Sequence, residues 1–198
     1  GSFDSPAAAG AVEEAFLMKL NASGGRMGLY QFNVDSNPQG SAAYAVAVEY
    51  PDRAYPVIYV AGGVPGNEQG SLFVARVSWD LELLSPVAKL GGRTRGSDSD
   101  RPLAIAVDGN RNVVVVGSSP GNFEGGVSSG AEDIIVVKFD RLLNRLWTQQ
   151  YGTNGHDAAY GVAVDAEGSI YVTGVTESFG TGTGLDGQAS MGGADIFL

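Results

Sequence analysis

The 198-residue chain is 43% hydrophobic and 17% charged, proportions that fit a chain with its own apolar core rather than a solvated tail. Its formal net charge of −10 argues against nucleic acid and anionic membrane surfaces, since both call for a basic face. Cysteine is absent, which excludes disulfides, thiol catalysis and cysteine-based zinc sites but leaves the compartment open. No apolar run approaches about 18 residues, so no membrane insertion is expected. The opening Gly-Ser-Phe-Asp has neither the basic nor the apolar region of a signal peptide, and a removed signal would leave the same picture. Thirty glycines without a Gly-X-Y period point to many tight turns, as all-β chains require.

In chain order, Ala7 to Leu20 is a partial helix candidate, but it runs directly into Ala15-Phe16-Leu17-Met18-Lys19-Leu20, a β-like segment that recurs. Related segments start at residues 71 and 133, and Asp195-Ile196-Phe197-Leu198 opens another, a period of roughly 60 residues. Asn21-Ala22-Ser23-Gly24-Gly25 reads as a hairpin turn and carries a glycosylation sequon at Asn21. Leu29-Tyr30-Gln31-Phe32 follows, then Tyr44 to Val48, whose small residues suit a crowded position near an axis. That alternating segment returns as Leu103 to Asp108 and as Tyr160 to Asp165. Val57 to Gly62 is matched by Val113 to Gly117 and Ile170 to Gly174. β-branched and aromatic enrichment and a closing glycine favour strand over helix there. Leu84 to Leu90 and Leu146 to Tyr151 complete the set.

Four short strands in one order, joined by Asp/Asn/Gly turns such as Asp108 to Asn112 and Asp165 to Ser169, are the pattern of a propeller blade. The expected fold is all-β, an incomplete β-propeller of four-stranded antiparallel blades. Residues 1–42 would give strands three and four of a first blade, 43–101 a second, 102–157 a third and 158–198 an incomplete fourth. About three blades cannot close a ring that needs roughly 4–8. The expectation is either a fragment of a longer polypeptide or assembly with other chains.

The copy Asp133 to Asp140, Trp147 to Gly152, Asp157 to Asp165 and Gly168 to Gly174 resembles the SBBP repeat, a seven-bladed-propeller repeat related to NHL-type propellers. The preceding copy keeps Ile105 to Asn110 and Gly117 but lacks the Trp. The first has Glu49 in place of Asp and an inserted Tyr50 to Pro56 turn. The resemblance implies a propeller found in secreted or cell-surface proteins, with no single shared activity. Trp79-Asp80 and Gly155-His156 mimic WD-repeat words in the wrong order and at too long a period, and the Gly62-Gly63 doublet of kelch repeats does not recur.

Because strands in a meander alternate direction, the strand two-to-three links and the inter-blade links share one face. That face receives Val64 to Gly70, Gly91 to Arg101, Ser118 to Glu132, Gly152 to Asp157 and Val175 to Ala194. Loops on a rigid scaffold concentrate binding residues. The candidates there are Arg95, Asp98, Asp100, Arg101, His156 and Asp157. Asp98 and Asp100 alternate as calcium ligands would, although a solvated loop with local salt bridges accounts for them equally. Asp108-Gly109-Asn110-Arg111-Asn112 opens like a calcium loop but lacks the closing glutamate, which favours a turn. Calcium is thus the one candidate cofactor. His156, the single histidine, lacks a Gly-x-Ser-x-Gly elbow, and Asp157 reads as a repeat position that sets strand register. Recurrent Tyr30, Tyr44, Tyr59, Tyr151, Tyr160, Tyr171 and Trp147 read as inter-blade core.

The repeated residues are structural and no catalytic set converges. The leading expectation is therefore a non-enzymatic extracellular or surface module for protein interaction or assembly. Its partners would be other chains, the remaining blades of a parent polypeptide, or glycans. The rival is a carbohydrate-active propeller enzyme, a lyase or glycoside hydrolase, with active residues partly in further blades.

Overall fold

The computed structural model describes residues 14–32, 34, 40–50, 55–64, 72–91, 100–178, 185 and 193–197. These form four antiparallel sheets in sequence order. The first pairs β1 (Ala15–Leu20) with β2 (Arg26–Phe32). The second orders β3 (Ala42–Glu49), β4 (Val57–Gly63), β5 (Leu72–Val77) and β6 (Leu83–Leu90). The third repeats that meander with β7 (Arg101–Val107), β8 (Val113–Ser119), β9 (Asp133–Phe139) and β10 (Arg145–Tyr151). The fourth joins β11 (Asp157–Val164), β12 (Ile170–Ser178) and β13 (Gly193–Phe197). The helix candidate at Ala7 to Leu20 is corrected where it is described: Ala15–Leu20 is a strand, and residues 7–13 lie outside the described residues.

Successive sheets stack face to face and converge on their first strands, β3 packing beside β7 and β7 beside β11. Outer strands β6 and β10 have no comparable contact. Sheets that meet at their inner strands and splay at their outer ones are blades. The fold is an incomplete β-propeller.

Apolar burial between blades holds the array. Phe73, Ala75 and Val77 of β5 pack against Ala15, Phe32 and Val34 of the first blade. Ile135, Val137 and Phe139 of β9 pack against Tyr59, Ala61, Leu72 and Val74 of the second. Val114, Val116, Ile134 and Val136 cover Ala159 of the fourth. Strands β5, β8 and β9 are therefore buried on both faces, which explains continuous runs such as Val113 to Val116 where a half-exposed strand would alternate.

The closing glycine of each second strand has a structural cause. The first strand of each complete pairing bulges at one place, between Ala43 and Ala45, between Pro102 and Ala104, and between Ala159 and Gly161. Opposite the bulge lie Gly62, Gly117 and Gly174, where a Cβ would come within 2.1, 1.8 and 2.0 Å of a first-strand carbonyl oxygen. Only glycine admits that approach.

Five hairpins at the opposite end share one turn. Asn21, Ser78, Asp108, Asp140 and Asp165 each accept an amide proton on the side-chain oxygen from the residue four positions on. The fourth turn residue is left-handed each time: Gly24, Leu81, Arg111, Leu143 and Gly168. The three that are not glycine reach the preceding blade. Leu81 fills the space a Cβ at Gly28 would need, Arg111 pairs with Glu49 at 3.1 Å, and Leu143 joins the core around Tyr59. Contact with the neighbour offsets the backbone cost of a left-handed non-glycine residue, typically about 1 kcal/mol or more.

Glu49 replaces the turn aspartate where the Tyr50 to Pro56 insertion breaks the hairpin. Its longer side chain turns to the next blade, accepting from Tyr59 Oη at 2.9 Å and pairing with Arg111. Burial, then the hydrogen bond to Glu49 and its charge, push the Tyr59 phenol up to about 12. Asp108 instead caps its own turn and holds Lys138 Nζ at 2.9 Å.

Gly117→Ala is expected to lower unfolding stability by about 1–3 kcal/mol, read from the urea midpoint, because the bulge must open to admit a methyl. For Asp108, burial acts to raise the carboxyl. The hydrogen bonds from Lys138 and Asn112, with the Lys138 charge, outweigh it and hold the group below its ordinary value. A depressed folded value gives stability that is present above the unfolded value of about 3.9 and lost as pH falls through the folded one. Asp108→Asn should therefore melt lower than the parent at pH 7, and the gap should close in thermal melts taken progressively below pH 4.

Candidate functional site

The inter-strand and inter-blade links gather at one end of the blades, as strand alternation requires. Arg95 and Asp98 lie outside the described residues. Asp100, immediately before β7, is 1% exposed and accepts from Ser119 Oγ at 2.5 Å. Arg101, next in sequence, is exposed and opens β7 opposite Ser118. Asn21 lies at the opposite end, on a hairpin tip, where its Oδ1 accepts from the amides of Ser23 and Gly25.

His156 and Asp157 are neighbours in sequence and face different surroundings. His156, half exposed, places Nε2 at 2.5 Å from Glu132 Oε2. Asp157 is fully buried: Oδ2 accepts from Thr153 N at 2.6 Å, and Oδ1 accepts from Thr176 Oγ1. Thr153 Oγ1 stands 3.0 Å from Asp157 Oδ2 and 2.5 Å from the Glu177 carbonyl oxygen, so its single proton serves one of them at a time. Every printed hydrogen bond to Asp157 holds the link from β10 to β11 against the end of β12.

Asp157 stands eight residues before Asp165, as Asp100 stands before Asp108 and Ser41 before Glu49. The partners vary together. Thr176 and Ser119 occupy the same place on their strands, and in the second blade that place is Val64, fully buried. Where the acid becomes Ser41, its hydroxyl donates to the Phe32 carbonyl and accepts from Val34 N, each at 3.3 Å, and no hydroxyl is kept opposite. An aspartate on the first strand and a hydroxyl on the second are thus one unit that ties the blade to its incoming link. Asp, Ser/Thr and a further Asp line up across the ends of adjacent strands, Ser119 opposite Asp133 and Thr176 opposite Asp195.

The loop from Ser119 to Glu132, read from the sequence as a variable binding segment, is anchored. Phe123 is fully buried in the core between the second and third blades. Its amide donates to Gln150 Oε1 at 3.0 Å, and Gln150 Nε2 donates to the Gly121 carbonyl and to Asp133 Oδ2. Glu124 accepts from Gly91 N at 3.0 Å and pairs with Arg145. Asp133 Oδ1 lies against Gly152, where a Cβ would come within 2.0 Å.

Among the described residues no group of three or more His, Asp or Glu could hold a metal ion. At Asp108, the calcium-like stretch is a hairpin turn whose carboxylate already holds the Lys138 ammonium. Glu132, Thr153, Thr176, Ser119, Phe123 and Gln150 were not singled out from the sequence. The hydroxyls were legible from their fixed offset after each second strand begins. Phe123 sits in a segment the repeat does not share.

The expectation that the recurrent aromatics form inter-blade core holds for Tyr59, fully buried, and for Tyr30, which packs against the first interface. It is corrected for Tyr44, Tyr151, Tyr160, Tyr171 and Trp147, all exposed. Trp147 and Tyr151 lie on a fourth strand, where the blades have splayed apart. Tyr44 and Tyr160 occupy the bulge of a first strand, which turns them off the packed faces.

Residues 146–179 match the SBBP family model, a β-propeller repeat. The chain carries an SBBP β-propeller repeat. The matched span takes in strand β10 with Trp147, the Asp157 link, β11 and β12. It therefore crosses from the third blade into the fourth, and the SBBP repeat includes the buried aspartate with its threonine partners. No curated protein matches the chain.

Asp157→Ala is expected to destabilise the chain by about 2–3 kcal/mol in urea titrations, since it strips a charged acceptor from buried donors. His156→Ala should change stability by less than about 1 kcal/mol, because its pair with Glu132 is half exposed.

Proposed function

We propose that this chain is part of a non-enzymatic extracellular or surface propeller that presents its loop-bearing face to protein or glycan partners. One observation carries the reading: the acids at that face are committed to the scaffold. Asp100 and Asp157 are buried with hydroxyl partners, and His156 is engaged with Glu132. Catalytic acids and bases need access to a substrate proton. Here the same groups fix loops, and the scaffold leaves Arg101 and His156 exposed as contact residues.

A carbohydrate-active enzyme is the second reading, favoured by Tyr44 and Tyr160. Both are exposed near the loop end of first strands, which lie innermost in their blades, where a sugar ring could stack.

The test is binding and turnover by the purified chain and its parent protein. Secreted proteins and soluble glycans should bind the parent, and Arg101→Glu with His156→Glu should weaken binding at least tenfold without altering the thermal melt. Robust polysaccharide or ester turnover, abolished by one acidic or His156 substitution, would overturn this proposal in favour of the enzyme.

A further inference from the structure

We infer that the outward face of the first blade binds the outward face of the fourth blade of a second copy of this chain, head to tail. The two faces are halves of an interface that the molecule already builds three times.

Aligned on the hairpin turns at Asn21, Ser78 and Asp140, Phe16, Met18 and Leu20 correspond to Phe73, Ala75 and Val77 and to Ile135, Val137 and Phe139. In the second and third blades these side chains are fully buried against the preceding blade. In the first blade they are 50%, 39% and 50% exposed. A strand face exposing three large apolar side chains is a surface that ordinarily has a partner.

The complementary half is on the fourth blade. Tyr171 corresponds to Tyr59 and Val114, both fully buried against the following blade, yet Tyr171 is 52% exposed. Its hydroxyl is already set for the role. Tyr59 Oη pairs with Glu49 and with the Arg141 carbonyl oxygen of the next blade at 3.1 Å. Tyr171 Oη donates to Asp165, the residue equivalent to Glu49, at 2.9 Å. Ala22 corresponds to Arg141, so its carbonyl in the second copy stands where Tyr171 would find its second partner. Small residues complete the match: Gly161 corresponds to Ala104 and Ala45, the positions that let blades approach closely.

The occupant follows from this chemistry. A surface of known fit to the first blade's face is the following-blade face of this same repeat, and every copy of the chain carries one. The contact is heterologous, so it either closes into a ring or runs on as a chain of copies. It uses the blade faces and leaves the loop end open, so it is independent of the loop-face binding proposed above.

Light scattering and sedimentation of the purified chain over a range of concentrations test it. Mass should rise with concentration above that of one copy. Leu20→Glu and Tyr171→Glu should each weaken self-association by at least about tenfold while leaving far-UV circular dichroism unchanged. Met18→Glu serves if Leu20→Glu unfolds. Mixing the Leu20 and Tyr171 variants leaves one intact contact, so the mixture should give a pair of copies that does not grow. A single-copy mass at the highest soluble concentration, or self-association indifferent to both substitutions, would overturn the inference. Loss of self-association with loop-face binding retained separates this inference from the functional proposal.

Discussion

Burial of one blade face on the next is the interaction on which the rest of this structure depends. Each sheet has two apolar faces and cannot cover both itself. Stability in such an array is close to a sum over neighbouring interfaces, and a single blade would expose too much apolar surface to persist. That requirement dictates the composition of β5, β8 and β9, which are apolar on both faces, and the alternation in β1, where one face is more exposed. It also makes the turn end a place of inter-blade contact, with Leu81, Arg111 and Leu143 reaching back from left-handed positions.

Departures from the repeat occur in coupled sets. Glu49, the Tyr50 to Pro56 insertion and Arg111 form one set: the insertion removes the turn that an aspartate would cap, and the longer acid crosses to the next blade. Ser41 and Val64 form another, replacing the acid and hydroxyl of Asp157–Thr176 and Asp100–Ser119. A buried carboxylate without donors is costly, and a buried hydroxyl that has lost its acceptor is a smaller cost of the same kind. The physical chemistry of burial therefore requires the members of each pair to change together.

The loop end shows how polar residues at a propeller face can serve the scaffold. Asp157 and Asp100 look like site residues in the sequence because acids in loops so often are. Their burial and their partners give them a different task, locking each incoming link to the end of the second strand. Phe123 and Gln150 do the same for the longest described loop, so that its backbone is held from inside the molecule. What such loops present to a partner is decided by the few side chains left outside, Arg101 and His156 among them.

The strands, their order and the blade-like unit were legible in the sequence, because apolar alternation, β-branched runs and Asp/Asn/Gly turns are local signals that a repeat displays several times over. The recurrence of Gly62, Gly117 and Gly174 was legible too, though its cause was not: the bulge and the carbonyl facing each glycine arise only when two strands pair. Exposure of Tyr44, Tyr160 and Tyr171 escaped a reading by repeat position, since equivalent positions share a backbone site without sharing a neighbour. The same holds for His156 and Asp157, adjacent in the chain but directed to Glu132 and to Thr153 and Thr176 by contacts 24 and 4, 19 residues away in sequence. Local pattern determined what each segment becomes. Only the stacking of blades decided which of those side chains water still reaches, because burial is a property of the neighbour and not of the residue.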